Sequence, residues 1–175
     1  SRACLPSYLE TITVPHELFV IDNGSTDDTV SWLREVSTLP QVTDTLRLAK
    51  NNPAEALNLG LSRCSGRLLH IMENDYQYLE GWDLEIVALF DEIQQLGQLA
   101  LFKGKARFHA SNHEGKIWLA RQNVCTTSVL RRDLFFEAGV RVKGHYLGNR
   151  YPNDHDLSMQ VIKAGYLVAW PNRDL

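Results

Sequence analysis

The sequence is poor in cysteine: three residues in 175, none in a CxxC pair or at a Cys/His metal-ligand spacing. That excludes a disulfide framework and a zinc ribbon, and Cys4, Cys64 and Cys125 are expected to be buried thiols in a reducing compartment. No stretch reaches the roughly 18 to 20 consecutive apolar residues that cross a bilayer. A cytoplasmic protein is expected, or one peripheral to a membrane through other parts of the molecule. An excess of either charge is absent as well, since 18 Lys and Arg stand against 21 Asp and Glu. The basic residues are scattered, so no stripe tracks a nucleic-acid backbone, and nucleic acid is not an expected partner. Repeats, low-complexity tracts and Pro/Gly/Ser linkers are missing too, which leaves a single domain over residues 1–175 as the expectation. Asn23-Gly24-Ser25 fits the N-glycosylation pattern, but with no signal peptide ahead of it the match is expected to be coincidental.

What remains is an ordinary globular composition, 44% hydrophobic and 22% charged. Its apolar runs are short and end in polar clusters. Glu17 to Asp22 reads as a buried strand entering a turn, and Ser25 with Asp28 has capping-box-like spacing ahead of a helix carrying Val30, Leu33 and Val36. Thr45 to Leu48 reads as a strand and Pro53 to Ser62 as a helix. Arg67 to Met72 is a further strand that stops at Glu73-Asn74-Asp75. Trp82, Ile86, Leu89, Ile93 and Leu96 recur at helical spacing, with Gly97 as the expected stop. Leu99 to Phe102 and Ile117 to Ala120 read as strands, Arg132 to Ala138 and Asp156 to Ala164 as helices, and Tyr166 to Trp170 as a strand. Gly104 to Gly115 and Lys143 to Asn153 read as long loops. Alternating strands and helices predict an α/β fold, a Rossmann-like, mostly parallel sheet with helices on both faces and ligands at the strand carboxyl ends.

The polar clusters fall at those ends. In Asp22-Asn23-Gly24-Ser25-Thr26-Asp27-Asp28-Thr29, a strand-end carboxylate followed by glycine and hydroxyls can accept from a nucleobase or ribose while the backbone stays close to the ligand. A solvated loop with an N-cap is the alternative. A calcium loop is not, because an EF-hand starting at Asp22 needs Gly where Asp27 stands and Glu where Leu33 stands. Glu73-Asn74-Asp75 offers two hard-oxygen carboxylates suited to a divalent cation bridging a diphosphate, or else a solvated turn. Asn153-Asp154-His155-Asp156 leads into a helix that Asp156 is expected to cap; Asp154 then either faces a cleft as a general base or, in a plain N-cap, has no role. His155 is ranked behind Asp154 as that base.

Taken together and in order, these segments resemble the family 2 glycosyltransferases of the GT-A fold. Asp22 to Thr29 is similar to the family's nucleotide-binding strand end, Asn58-Leu59-Gly60 with Asn51 and Asn52 to its Asn/Gly-rich helix segment, and Glu73-Asn74-Asp75 to its DxD motif. Tyr78 to Trp82, Arg131 to Phe135 with Glu137 to Gly139, and Asn153 to Leu157 with Lys163 to Tyr166 resemble the segments that follow, the last being its ED motif. Three positions depart from the pattern: Asn23 replaces a second Asp, Glu73 the first acid of DxD, and Asn153 the Glu of ED. The similarity starts at the family's first helix, Ser1 to Ile12, so its preceding strand and base-holding loop are expected to lie outside this chain.

The resemblance implies a nucleoside diphosphate sugar, of the UDP or dTDP type, as donor and a carbohydrate or other hydroxyl compound as acceptor. It implies Asp22, Asn23, Gly24, Ser25, Asn58, Glu73 and Asn74 on the donor, with Mg²⁺ or Mn²⁺ on Asp75 and Glu73. Asp154 would be the base of an inverting transfer, with Asp156 and His155 on the acceptor side. Two other readings stay open: a sugar-phosphate nucleotidyltransferase, whose glycine-rich phosphate loop is not seen, and a non-catalytic nucleotide- or glycan-binding module.

Overall fold

The computed structural model describes residues 4–144 and 153–175. In chain order the helices are α1 (Cys4–Thr11), α2 (Thr29–Val36), α3 (Pro53–Arg63), α4 (Trp82–Glu92), α5 (Arg132–Phe136) and α6 (Asn153–Lys163). The strands are β1 (Phe19–Asp22), β2 (Asp44–Arg47), β3 (Leu68–Ile71), β4 (Leu96–Ala100), β5 (His109–His113), β6 (Ile117–Ala120), β7 (Ser128–Arg131) and β8 (Leu167–Pro171). β1 and β2 pair in parallel, and the others form a sheet in the order β3-β7-β4-β8-β6-β5.

Neighbouring strand residues face opposite sides of that sheet, as pleating requires. Leu99, Val129 and Ala169 join a core with α1 and α4, whereas Ala100, Leu130 and Val168 join a second core with α3, α5 and α6. Helices therefore cover both faces, as the alternation of elements predicts. The pairing is more mixed than alternation alone implies. β1·β2 and β4·β8 are parallel, but β7 runs antiparallel between β3 and β4, and β5-β6 is an antiparallel hairpin at the edge. β6 is the strand expected at Ile117 to Ala120, whereas β5 occupies part of the Gly104 to Gly115 stretch expected to be loop. β5, His-Ala-Ser-Asn-His, exposes three of its five residues and so carries no apolar alternation to reveal it.

Local chemistry explains most boundaries. Asn52 caps α3, its side chain accepting from Glu55 N, with Pro53 at the first position where no N–H is needed. α4 ends at Glu92, four residues before the apolar periodicity does. Ile93 and Leu96 are buried all the same, Leu96 already within β4, so burial continues while the backbone changes. Gly97 is thus a strand residue and not a helix stop. A Cβ there would lie 2.5 Å from Tyr166 Cβ and 2.8 Å from Val161 Cγ1, which is why β4 and α6 pack this closely only over glycine.

Two polar side chains, the buried Asp83 and the half-buried His70, fix the segments around α4. The Asp83 carboxylate accepts from Thr13 N at 2.5 Å, Thr13 Oγ1 at 2.8 Å and Val14 N at 2.9 Å, fixing the chain that leaves α1. Burial alone raises its pKa, but those donors outweigh burial and hold it below the ordinary carboxylate range. His70 on β3 meets Tyr78 Oη at 2.6 Å and the Ser128 carbonyl at 3.2 Å. A carbonyl only accepts, so Nδ1 carries the proton and Nε2 accepts from Tyr78. Burial pushes the His70 pKa down to about 4 and outweighs the hydrogen bond to the Ser128 carbonyl, which acts in the opposite sense.

That depression makes stability depend on pH. Between the unfolded value near 6.5 and the folded value of about 4, the unfolded chain binds the extra proton, so His70 favours unfolding increasingly as pH falls through this window. Urea titrations at pH 7 and pH 4.5 should show a loss of about 2 kcal/mol that His70→Gln lacks. Equal losses in parent and variant would remove His70 from the account.

Candidate functional site

Asp22 ends β1 with its side chain 1% exposed and both oxygens engaged. Oδ1 accepts from Ser25 N at 3.0 Å and Oδ2 from Arg47 Nε at 3.0 Å, while Arg47 Nη2 donates to Ser25 O. Burial raises the Asp22 pKa, and the Ser25 and Arg47 hydrogen bonds more than offset it, holding the group ionised below its ordinary value. Arg47, half-exposed on β2, is a residue the sequence reading missed. A single Arg on an exposed strand gives no periodic signal.

The loop after Asp22 is locked to the segment after β2. Asn23 Nδ2 donates to Asn51 Oδ1 at 2.9 Å, and Asn52 N donates to Asn23 Oδ1 at 2.7 Å. Gly24 has φ +79°, and a Cβ there would lie 2.7 Å from the Lys50 carbonyl carbon. Only glycine allows both that conformation and that approach. The expected Ser25/Asp28 capping box does not form. Ser25 faces Asp22, Asp28 occupies the cap position without a side-chain cap bond, and Asp27 accepts from Thr29 N instead.

Glu73, Asn74 and Asp75 follow β3 and are exposed. Glu73 Oε2 accepts from Thr127 Oγ1 at 2.8 Å, and its carbonyl accepts from the Cys4 thiol at 3.2 Å. The Asp75 carboxylate makes no hydrogen bond or ion pair among the described residues. A cavity of about 440 Å³ opens between the carboxyl ends of β1 and β3 and the start of α2. Asp22, Asn23, Ser25, Glu73 and Asn74 line it together. A larger cavity of about 690 Å³ lies between β1 and β3 nearer their middle and holds none of the candidate site residues.

Asn58 does not line the smaller cavity. Its amide donates to Val142 O at 2.7 Å and accepts from Val142 N at 3.0 Å, pinning the chain that follows α5. The Lys143 to Asn153 stretch lies mostly outside the described residues.

Asp154 and Asp156 sit differently from the expectation, because α6 begins at Asn153 rather than at Leu157. Asp156 is therefore not the cap. It is buried, accepting from Gln160 Nε2 at 2.6 Å, with Lys143 Nζ 3.6 Å from Oδ1. Asp154 stands in the first turn, half-buried, with Oδ1 accepting from His155 N at 2.8 Å and Oδ2 3.5 Å from Asn123 Nδ2. The Cys125 thiol lies within electrostatic reach of both Glu73 and Asp154. Burial pushes its pKa up to about 12, with further upward contributions from the charges of Glu73 and Asp154. The thiol stays protonated and donates to Thr127 O at 2.8 Å.

Among the described residues no group of three His, Cys, Asp or Glu could hold a metal ion alone. Asp75 and Glu73 supply hard carboxylate oxygens, the donor type a Mg²⁺ or Mn²⁺ ion takes when a ligand's phosphates complete its shell. All three cysteines are free. No helix among the described residues is long and apolar enough to cross a membrane.

The model of the family described as Glycosyl transferase family 2 matches residues 2–155. No curated protein matches the chain in sequence. The crystal structure of S. aureus TarS 1-349 superposes with a TM-score of 0.74 at 15% identity, over 98% of this chain and 53% of that one. The same protein in complex with UDP superposes with a TM-score of 0.68, again at 15% identity and with the same coverage. This chain spans about half the length of the solved chains it matches, and at such identity the likeness is one of fold.

Proposed function

The chain belongs to glycosyl transferase family 2 and has the GT-A fold, and from that premise we propose that it transfers a sugar from a nucleoside diphosphate to an acceptor hydroxyl with inversion. The observation that carries the proposal is the cavity joining Asp22, Asn23 and Ser25 to Glu73 and Asn74. It is a recess of mixed polar and apolar lining beside carboxylates that can share a cation with a diphosphate. The UDP held by the TarS relative supports the choice of nucleotide.

In this reading the Asp22–Arg47–Ser25 unit shapes the recess for base and ribose. Asp22 has both oxygens taken internally, so it acts on the nucleotide chiefly by fixing Arg47 and the 23–25 backbone. Asp75, with Glu73, would hold Mg²⁺ or Mn²⁺, which supplies positive charge to the departing diphosphate. Asp154 takes the proton of the acceptor hydroxyl as that oxygen attacks the anomeric carbon. The C–O bond to the nucleoside diphosphate breaks on the opposite side, and the configuration inverts.

Turnover tests this. With UDP-sugars, Mn²⁺ and a panel of hydroxyl acceptors, the expected products are UDP and glycosylated acceptor. Pyrophosphate release from a sugar phosphate and nucleoside triphosphate would instead identify a nucleotidyltransferase, and UDP binding without turnover a binding module.

A further inference from the structure

We propose that Thr127 is a positioning residue of the donor site, holding Glu73 so that one of its oxygens is presented to the cation and diphosphate. This rests on the reading of the site given above. The register Ile71↔Ser128 continues past the strand ends and brings Thr127 beside the residues that follow β3. Thr127 is fully buried, yet its hydroxyl reaches the exposed Glu73 and donates to Oε2 at 2.8 Å. A hydroxyl has one proton to give, and here it goes to a carboxylate, the stronger kind of hydrogen bond.

The rest of the neighbourhood holds Thr127 in that pose. Its carbonyl accepts from the Cys125 thiol, and the Tyr76 phenol lies against Cys125 and Thr127 both. The Glu73 backbone is held separately by Cys4. A glutamate on a turn otherwise samples many rotamers, and ordering it on ligand binding opposes affinity. Thr127 orders it beforehand and leaves Oε1 without a hydrogen bond among the described residues. Among the described residues Asp75 has no such support, so the two acids of the motif divide into one fixed oxygen donor and one that adjusts.

Titration of UDP into the protein, with Mn²⁺ and with EDTA, tests the assignment. Thr127→Val keeps shape and removes the donor, and is expected to weaken UDP about 10-fold in Mn²⁺ while leaving the EDTA affinity unchanged. Thr127→Ser restores the hydroxyl and should bind as the parent does. In a Glu73→Ala background, Thr127→Val should add nothing further. If Thr127→Val proves unstable, Thr127→Ala against Thr127→Ser gives the same contrast. Parental Mn²⁺-dependent affinity in Thr127→Val overturns the inference, as does an equal loss with and without Mn²⁺, which marks a purely structural residue. If the parent itself binds no UDP, the donor-site reading falls and takes this inference with it.

Discussion

Asp154→Asn is expected to slow sugar transfer by roughly 10² or more while leaving donor affinity unchanged. The amide keeps the size of the side chain and its acceptor oxygen, so the bond from His155 N survives and α6 starts where it did. What disappears is the ability to take a proton from the acceptor hydroxyl. Nothing in the donor cavity changes, because Asp154 does not line it. Asp156→Asn is the control. That carboxylate is buried between Gln160 and Lys143, so the amide keeps one hydrogen bond, loses the ion pair and costs about 1 kcal/mol of stability with transfer intact. Steady-state rates with donor dissociation constants distinguish the cases. Parental transfer by Asp154→Asn, alongside an inactive Asp156→Asn or His155→Ala, moves the base to that neighbour.

Asp75→Ala should remove the Mn²⁺-dependent part of UDP affinity altogether. Glu73 already gives one oxygen to Thr127, so the exposed Asp75 carboxylate, without a hydrogen bond among the described residues, is the main protein oxygen left for a cation. Without it the cation would rest on a single Glu73 oxygen and the ligand's own phosphates. Calorimetric titration in Mn²⁺ and in EDTA reads this directly: the two isotherms should coincide in the variant and differ in the parent. A variant that retains the parental Mn²⁺ enhancement takes the metal away from Asp75.

The strand ends that build the site were legible because each is an apolar run stopped by a polar cluster, Phe19 to Asp22 before Asn23-Gly24 and Leu68 to Ile71 before Glu73 to Asp75. Periodicity revealed α3 and α4. It failed where burial and backbone part company: Leu96 continues the helical spacing of α4 but belongs to a strand. β7 was hidden for a related reason, since its four residues run straight into α5 and leave no turn to mark the change. At the site, what escaped was everything that depends on side chains meeting across the fold. Arg47 meets Asp22 over 25 residues and Thr127 meets Glu73 over 54, and no local pattern encodes either. Asp156 misled in the opposite sense. Its position before an apolar helix has the look of a cap, while its place in the first turn sends it into the protein against Gln160.

The central claim, inverting transfer from a nucleoside diphosphate sugar, is most directly tested by proton NMR of the turnover mixture. The anomeric coupling of the first-formed product reports its configuration before any equilibration. An α-linked UDP-sugar should give a β-linked product, in amounts matching the UDP released, and only when Mg²⁺ or Mn²⁺ is present. A product that keeps the donor's α configuration would contradict direct displacement with Asp154 as base.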